Sequence, residues 1–511
     1  MEDWTSGYVA DIGYTYGYFF ELNPLRTRLP LLYQGIEVPE YATACELGFG
    51  QGISTNLHAA ASQMKWYGTD FNPTQAGFAQ QLAKHAGSSA ELFDESFSEF
   101  CNRDDLPGFD FIGLHGIWSW VSDENRRILV DFIKRKLNVG GVLYISYNTL
   151  PGWSEFAPVR HILTQHADIV GSTGEGIVSR IGKSLDFVEQ LIETDPLYSK
   201  LNPNVKEKLA QVKTQNSHYL AHEYFNKDWH PMHFSTMADW LSSAKVEFAC
   251  SAVYLNHIDV VSITETQREL LGTLPNKVLE QTVRDFMTNQ QFRRDYWIKG
   301  VRRLSPLERF EALRDEKVVL LYHREDVPLM AKGSLGEATL TPAIYDPILD
   351  VLSDYKVKTL GQIHEKLADH NIDFPQLLEA IIILADSGRV SSAYNSQQIT
   401  KIKKQTDRLN AYIIDRARGS SDITNLACPV TGGAIPVDRF EQIFVASIQQ
   451  NNSEPMDWAH SVWAILNMQK QKVVKEGKTL ESDEENIQEL LRRANEFQSK
   501  KLPILKAMQI V

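Results

Sequence analysis

Between residues 41 and 154, short apolar runs alternate with segments whose apolar residues recur at helical spacing. That pattern belongs to a parallel sheet whose strands are joined by crossover helices, so the fold class is α/β. Strands are predicted at 42–47, 65–70, 90–93, 109–114 and 141–147. The segment after Ser122 reads as a capped helix: Ser122 is a capping residue, and Asp123 and Glu124 lie in the positive first turn. Ile128, Leu129, Phe132, Ile133 and Leu137 then repeat at helical spacing, and the helix is expected to end at Gly140-Gly141.

The flanking segments follow other patterns. Residues 1–40 carry aromatics and an Asn23-Pro24 turn, and are expected to form a helical flap over the mouth of the sheet. Residues 155–304 show few strand-like alternations and predict a helical domain. In 305–400 a strand candidate at 318–322 precedes helical patterns at 343–353, 359–368 and 374–387, and a strand candidate follows at 389–393. Helices followed by a small hairpin suggest a winged-helix-like unit. Residues 401–511 form a helical C-terminal region, with a charged amphipathic helix at 481–501.

A length of 511 residues suggests two to four domains at about 150 residues each. Lysine plus arginine number 52 against 65 acidic residues, a net charge of −13, which disfavours a nucleic-acid-coating surface. A cationic protein segment is the easier partner electrostatically. The acidic start Met1-Glu2-Asp3-Trp4 and the lack of any apolar run of about 18 residues argue against a signal peptide or membrane span, so a cytoplasmic protein is expected. Cys45, Cys101, Cys250 and Cys428 lie too far apart for a metal knuckle and read as buried thiols.

The chemistry begins at Glu46-Leu47-Gly48-Phe49-Gly50-Gln51-Gly52, which follows a strand and opens a helix. Three glycines let the backbone turn tightly and approach a ligand closely. The spacing is GxGxG rather than the dinucleotide GxGxxG, whose third glycine position is Ile53 here. Twenty residues after Gly50, Asp70 closes the second strand, where a carboxylate can accept both hydroxyls of a ribose. Together these favour an adenosine cofactor without a pyrophosphate, namely S-adenosylmethionine. Glu46, Gly48, Phe49, Gly50 and Gly52 would face its amino acid part and Asp70 with Phe71 its ribose. Asp94, Glu95 and Ser96 would meet the adenine edge.

Two later segments carry a family resemblance: His115-Gly116-Ile117-Trp118-Ser119-Trp120-Val121, and Ser146-Tyr147-Asn148-Thr149-Leu150-Pro151-Gly152-Trp153. They resemble the HGxxSWV and SYNTxPGW segments of bacterial class I methyltransferases that carry a methyltransferase regulatory domain. Residues 219–226 and 292–300 look like the opening and closing segments of that domain. The resemblance implies a class I Rossmann-like sheet with a helical regulatory domain, and S-adenosylmethionine as cofactor, released as S-adenosylhomocysteine. The family includes the rickettsial type of protein-lysine methyltransferase, which makes a protein lysine the favoured acceptor.

Residues suited to methyl transfer are expected where the fourth and fifth strands end. His115, Trp118, Tyr147 and Asn148 are the catalytic candidates, with His115 also touching cofactor. Tyr147, Trp118 and Trp120 are candidates for an aromatic channel that holds an alkylammonium by cation–π attraction, with core packing as the alternative for the two tryptophans; Tyr14, Tyr16, Trp153 and His222 are further substrate-binding candidates. Asn148-Thr149-Leu150-Pro151 compares poorly with the Asn-Pro-Pro-Tyr loop of base methyltransferases, which makes base methylation a minor reading. His218, His222, His230 and His233 lack the HExxH order, so no metal is expected. Rival acceptors are a small molecule or a cell-surface sugar, a non-catalytic cofactor-binding regulator is the rival class, and a homodimer stays open.

Overall fold

The computed structural model describes residues 16–170 and 176–511. The parallel half of its main sheet comprises β1 (Thr43–Leu47), β2 (Lys65–Thr69), β3 (Glu91–Phe93), β4 (Phe109–Leu114) and β5 (Leu137–Asn148). Two further strands, β6 (Val246–Ser251) and β7 (Phe292–Lys299), complete it in the order β3-β2-β1-β4-β5-β7-β6. β7 runs antiparallel to both β5 and β6. The parallel strands are nearly continuous apolar runs because helices cover both faces. Leu143, Ile145 and Trp297 enter the core on one face, and Val142, Tyr144 and Tyr296 that on the other.

All five predicted parallel strands form, and Ser122 caps the helix Asp123–Lys136 by accepting from the Asn125 N–H. That helix ends four residues before the expected Gly140-Gly141. Leu137 already pairs with Phe109, and both glycines lie inside β5, where the register shifts between Phe109 and Phe111. The interruption is absorbed by Gly140, whose φ of +85° disfavours a side chain.

Residues 155–304 are helical only in part. Helices Ala157–Ile169, Ile177–Glu193, Asn204–Lys213 and Ser217–Tyr224 build a separate small core around Leu163, Leu185, Leu209 and Leu220. The chain then returns to the main sheet as β6 and β7. Pattern reading misses β7 because Arg293 and Asp295 occupy its buried side as an ion pair, so no apolar alternation shows.

In the C-terminal third, helices Pro342–Leu352, Leu360–Lys366 and Phe374–Asp386 fall close to their predicted positions. The hairpin expected after them is absent: Val390–Ser392 pairs back to Lys317–Leu320, which also pairs with Lys358–Thr359. From there the chain passes directly into the long helix Ser396–Arg416. Leu409 and Ile413 of that helix share one core with Leu57 and Leu82 of the helices Ile53–Ala60 and Pro73–Ala86. The C-terminal region is thereby fixed to the outer face of the helices that follow β1 and β2. Among the described residues no helix is long and apolar enough to cross a membrane, and all four cysteines are buried free thiols.

Candidate active site

The C-terminal ends of β1 to β4 converge on one cavity, where an open α/β sheet places its ligand. β1 delivers Glu46 and then the glycine loop. Gly48, Gly50 and Gly52 all have positive φ, so the loop turns with its backbone against the cavity. A Cβ on Gly48 would stand 2.3 Å from Ile117 Cδ1, which closes that position to larger residues. Gly52 serves packing instead. Its Cβ would meet Ala79 Cβ at 2.4 Å, so it brings the start of the helix Ile53–Ala60 onto the next helix and does not line the cavity.

Asp70 ties the loop to β2. Its Oδ2 accepts from the Gly50 N–H at 2.9 Å and its Oδ1 from the Asn72 N–H at 3.0 Å. Burial pushes its carboxyl up to about 6, against the pull of those two amides. Glu46 is buried more deeply and accepts from the Thr55 hydroxyl. Burial lifts it to about 8, with the Asp70 charge adding to the effect.

Beyond β3, Glu95 and Ser96 line the cavity, while Asp94 is not among its lining residues. Arg103 holds Glu95 Oε1 at 2.6 Å; Oε2 is buried without a hydrogen-bond donor. A buried acceptor left open beside the cavity suits a ligand carrying N–H or O–H groups. The glycine cradle, the Asp70 carboxylate and this open oxygen together fit an adenosine-type ligand with an amino acid tail.

Beyond β4, His115 lines the cavity and stacks on Phe19, the ring centroids 3.7 Å apart. Its Nδ1 shares a 2.8 Å hydrogen bond with the Tyr144 hydroxyl. Burial drives the imidazole down to about 4, opposed by Glu21 and assisted by Arg294, so it is neutral at pH 7. Trp120 also lines the cavity, and its indole N–H donates to the Glu223 carbonyl of the helical lobe at 3.3 Å.

Several candidates sit elsewhere. Trp118 is fully buried in the sheet core, its indole N–H on the Met232 sulfur. Tyr147 is equally buried and donates to Asp295 Oδ2 at 2.9 Å, away from the cavity. The Asn148 backbone N–H is held by the Ser119 hydroxyl at 2.8 Å, and the residue does not reach the cavity. Trp153 packs with Tyr224 and Trp229 in the helical lobe, where His222 is buried too. Tyr16 packs edge-on against Phe78, and Tyr14 lies outside the described residues. The tryptophans at 118 and 153 are thus core residues, because each finds an apolar niche large enough to bury its ring.

The cavity also gathers residues that the sequence did not single out. Gly17 and Phe19 wall it from the N-terminal side, with the Phe19 N–H on the Ser54 hydroxyl at 2.8 Å. Phe97 and Ile117 add apolar lining, and Asp228 enters from the loop after Ser217–Tyr224. The HGIWSWV segment is the one local signal that marked Ile117; a lone aspartate such as Asp228 offers none.

A cavity of this kind on a sheet ordered 3-2-1-4-5-7-6 defines a class I methyltransferase fold. The chain belongs to one family with the uncharacterized protein sll1526 of Synechocystis sp., to which it is 37% identical over 512 residues, 99% of either chain. The family model described as a predicted methyltransferase regulatory domain matches residues 216–299, which span β6 and β7. The uncharacterized protein RP789 of Rickettsia prowazekii is 28% identical over 278 residues, 51% of this chain and 46% of its own. The structure of PKMT2 from Rickettsia typhi in complex with AdoHcy superposes with a TM-score of 0.69 at 17% identity, covering 95% of this chain and 98% of that one.

Proposed function

We propose that the protein methylates an amine, with S-adenosylmethionine as donor and a protein lysine side chain as acceptor. The observation that carries the reading is the joint presentation of the glycine loop, Asp70 and the open Glu95 oxygen around one cavity. The likeness in fold to PKMT2 of Rickettsia typhi along nearly the whole chain supports it. Gly48 and Gly50 would pass close to the cofactor's amino acid tail, with Glu46 toward its ammonium, Asp70 toward its ribose and Glu95 with Ser96 toward its adenine.

Bound there, the cofactor supplies an electrophilic methyl group on a sulfonium. An acceptor amine that has given up its ammonium proton to solvent before transfer would take that methyl group, leaving the cofactor as a neutral sulfide. The chain's own residues mainly align the acceptor and exclude water. Phe19 stacked on His115 closes the cavity on the N-terminal side, and Trp120 offers an aromatic wall. Asp228 is the carboxylate that would draw an alkylammonium in from the helical lobe. Neutral His115, held by Tyr144, places no positive charge beside the sulfonium.

A small-molecule acceptor is the second reading, favoured by the cover that Gly17 and Phe19 give the cavity. Purified protein, methyl-labelled S-adenosylmethionine and lysate from its own source decide between them. Label recovered as methyl-lysine after proteolysis and amino acid analysis supports the first reading. Label confined to small or carbohydrate material supports the second. Cofactor binding without transfer to any fraction would overturn both in favour of a non-catalytic regulator.

A further inference from the structure

On the other side of the sheet edge, a second cavity lies between β6, β7 and the helix Lys277–Met287. The residues around it make an unusual choice of face. Only Gln281 and Asp285 of this helix are buried, while Val278, Leu279 and Phe286 are 40%, 41% and 63% exposed. A helix over a sheet ordinarily buries its apolar stripe. This one turns polar side chains inward, toward Arg293 and Asp295 of β7, and leaves apolar ones in solvent.

Much of that polar interior is internally satisfied. Arg293 gives one bond each to Asp295 (2.8 Å), Asp285 (2.6 Å) and Gln281 (2.9 Å). Nearer the mouth, Arg284 pairs with Asp259 at 2.8 Å and Lys277 with Glu280 at 2.7 Å. One group stands out: Asp285 is 3% exposed, lines the cavity, and its Oδ2 has no hydrogen-bond donor. The charges do not cancel either. Four carboxylates, Asp259, Glu280, Asp285 and Asp295, face three cations, and burial keeps His257 neutral at about 4. A buried acceptor without a donor is costly, and more so when charged, so a donor supplied from outside would be bound with gain.

We propose that this cavity is a second ligand site, separate from the methyl-transfer cavity, that takes a small organic ammonium ion with its N–H groups on Asp285 Oδ2. A single positive charge balances the surplus carboxylate, and an ammonium supplies the donor that Oδ2 lacks. An anion would meet cations whose partners are already in place. Among the described residues no His, Cys, Asp and Glu cluster is arranged for a metal, which favours an organic cation as occupant. The site is independent of the proposed reaction and stands or falls without it.

Calorimetry on the full chain tests this with ethylammonium as probe, and with ethanol and propionate as neutral and anionic matches. Saturable binding of ethylammonium, at least tenfold tighter than either match, is the expected result. Asp285→Asn should weaken it at least tenfold. Because that change also disturbs the Arg293 pairing, Glu280→Gln at the exposed mouth serves beside it, with an expected loss of about threefold and an unchanged melting temperature. No preference for ethylammonium over ethanol would overturn the proposal. So would wild-type affinity in a folded Asp285→Asn protein.

Discussion

The Gly50 N–H and Asp70 Oδ2 lie 2.9 Å apart, so the residue assigned to the ribose is also the clamp on the glycine loop. Asp70→Ala should therefore cost more than one lost ligand contact, because the loop that cradles the amino acid tail loses its anchor. S-adenosylmethionine affinity by calorimetry is expected to fall at least tenfold, and equal affinity would remove Asp70 from the site. The ribose hydroxyls need the ionised carboxylate, which burial holds near 6, so wild-type affinity should decline as the pH drops through about 6. For folding the sign is opposite. A carboxyl raised above its unfolded value contributes stability at low pH, and that contribution is lost as pH rises through about 6.

Glu46 gives a second titration. With its carboxyl at about 8 it carries a proton at pH 7 in the free protein. The ammonium of the cofactor favours the ionised form, so binding at pH 7 should release a proton and tighten as pH rises toward 8. Binding heats measured in phosphate and in Tris should then differ by the buffers' ionisation enthalpies. Glu46→Gln should abolish that difference. Identical heats in wild type would place the ammonium elsewhere.

Gly52→Ala and Gly116→Ala separate crowding from backbone strain. The two glycines have φ of +67° and +65°, but a Cβ at Gly52 would strike Ala79 at 2.4 Å, whereas at Gly116 it meets nothing within 4 Å. The backbone term is about 1–2 kcal/mol for each, and overpacking adds about 1–3 kcal/mol at Gly52 alone. Denaturant unfolding should show Gly52→Ala as the more damaging by that margin. Equal losses would mean that the two helices can part to admit the methyl group.

These glycines also mark how much the sequence could convey. The loop, the five parallel strands and Asp70 are legible because each depends on local spacing. That Gly52 serves packing is not, because Ala79 reaches it only through tertiary contact. Asp228 enters the cavity from a loop remote in sequence and carries no local signature. Trp118 misleads for the converse reason: neighbours of cavity residues alternate in direction along a strand or turn, so adjacency to Ile117 does not imply a shared face, while Tyr147 and Asn148 close β5, whose end does not reach the cavity.

Tyr147 makes that point measurable. Its hydroxyl bonds buried Asp295, which also holds Arg293 at 2.8 Å. Tyr147→Phe removes a hydrogen bond to a buried carboxylate, worth about 1.5–3 kcal/mol. Unfolding free energy should drop by that amount while turnover and cofactor affinity stay within about twofold. A tenfold loss of turnover at unchanged stability would return Tyr147 to the reacting groups.

Asp228 is the complementary case, a cavity residue with little structural burden. It is partly exposed, and its Oδ1 makes a 3.3 Å contact with His230 Nε2. Asp228→Asn should leave the melting temperature unchanged. It comes from the helical lobe and makes no hydrogen bond to the glycine loop, so cofactor affinity should also hold within about twofold. Its cost should fall on the acceptor, because a carboxylate attracts an ammonium and an amide does not. KM for a lysine-bearing substrate is expected to rise about tenfold, and the effect should shrink at high salt, where exposed charges are screened. An unchanged KM, or a loss confined to the cofactor, would move the acceptor path away from the helical lobe.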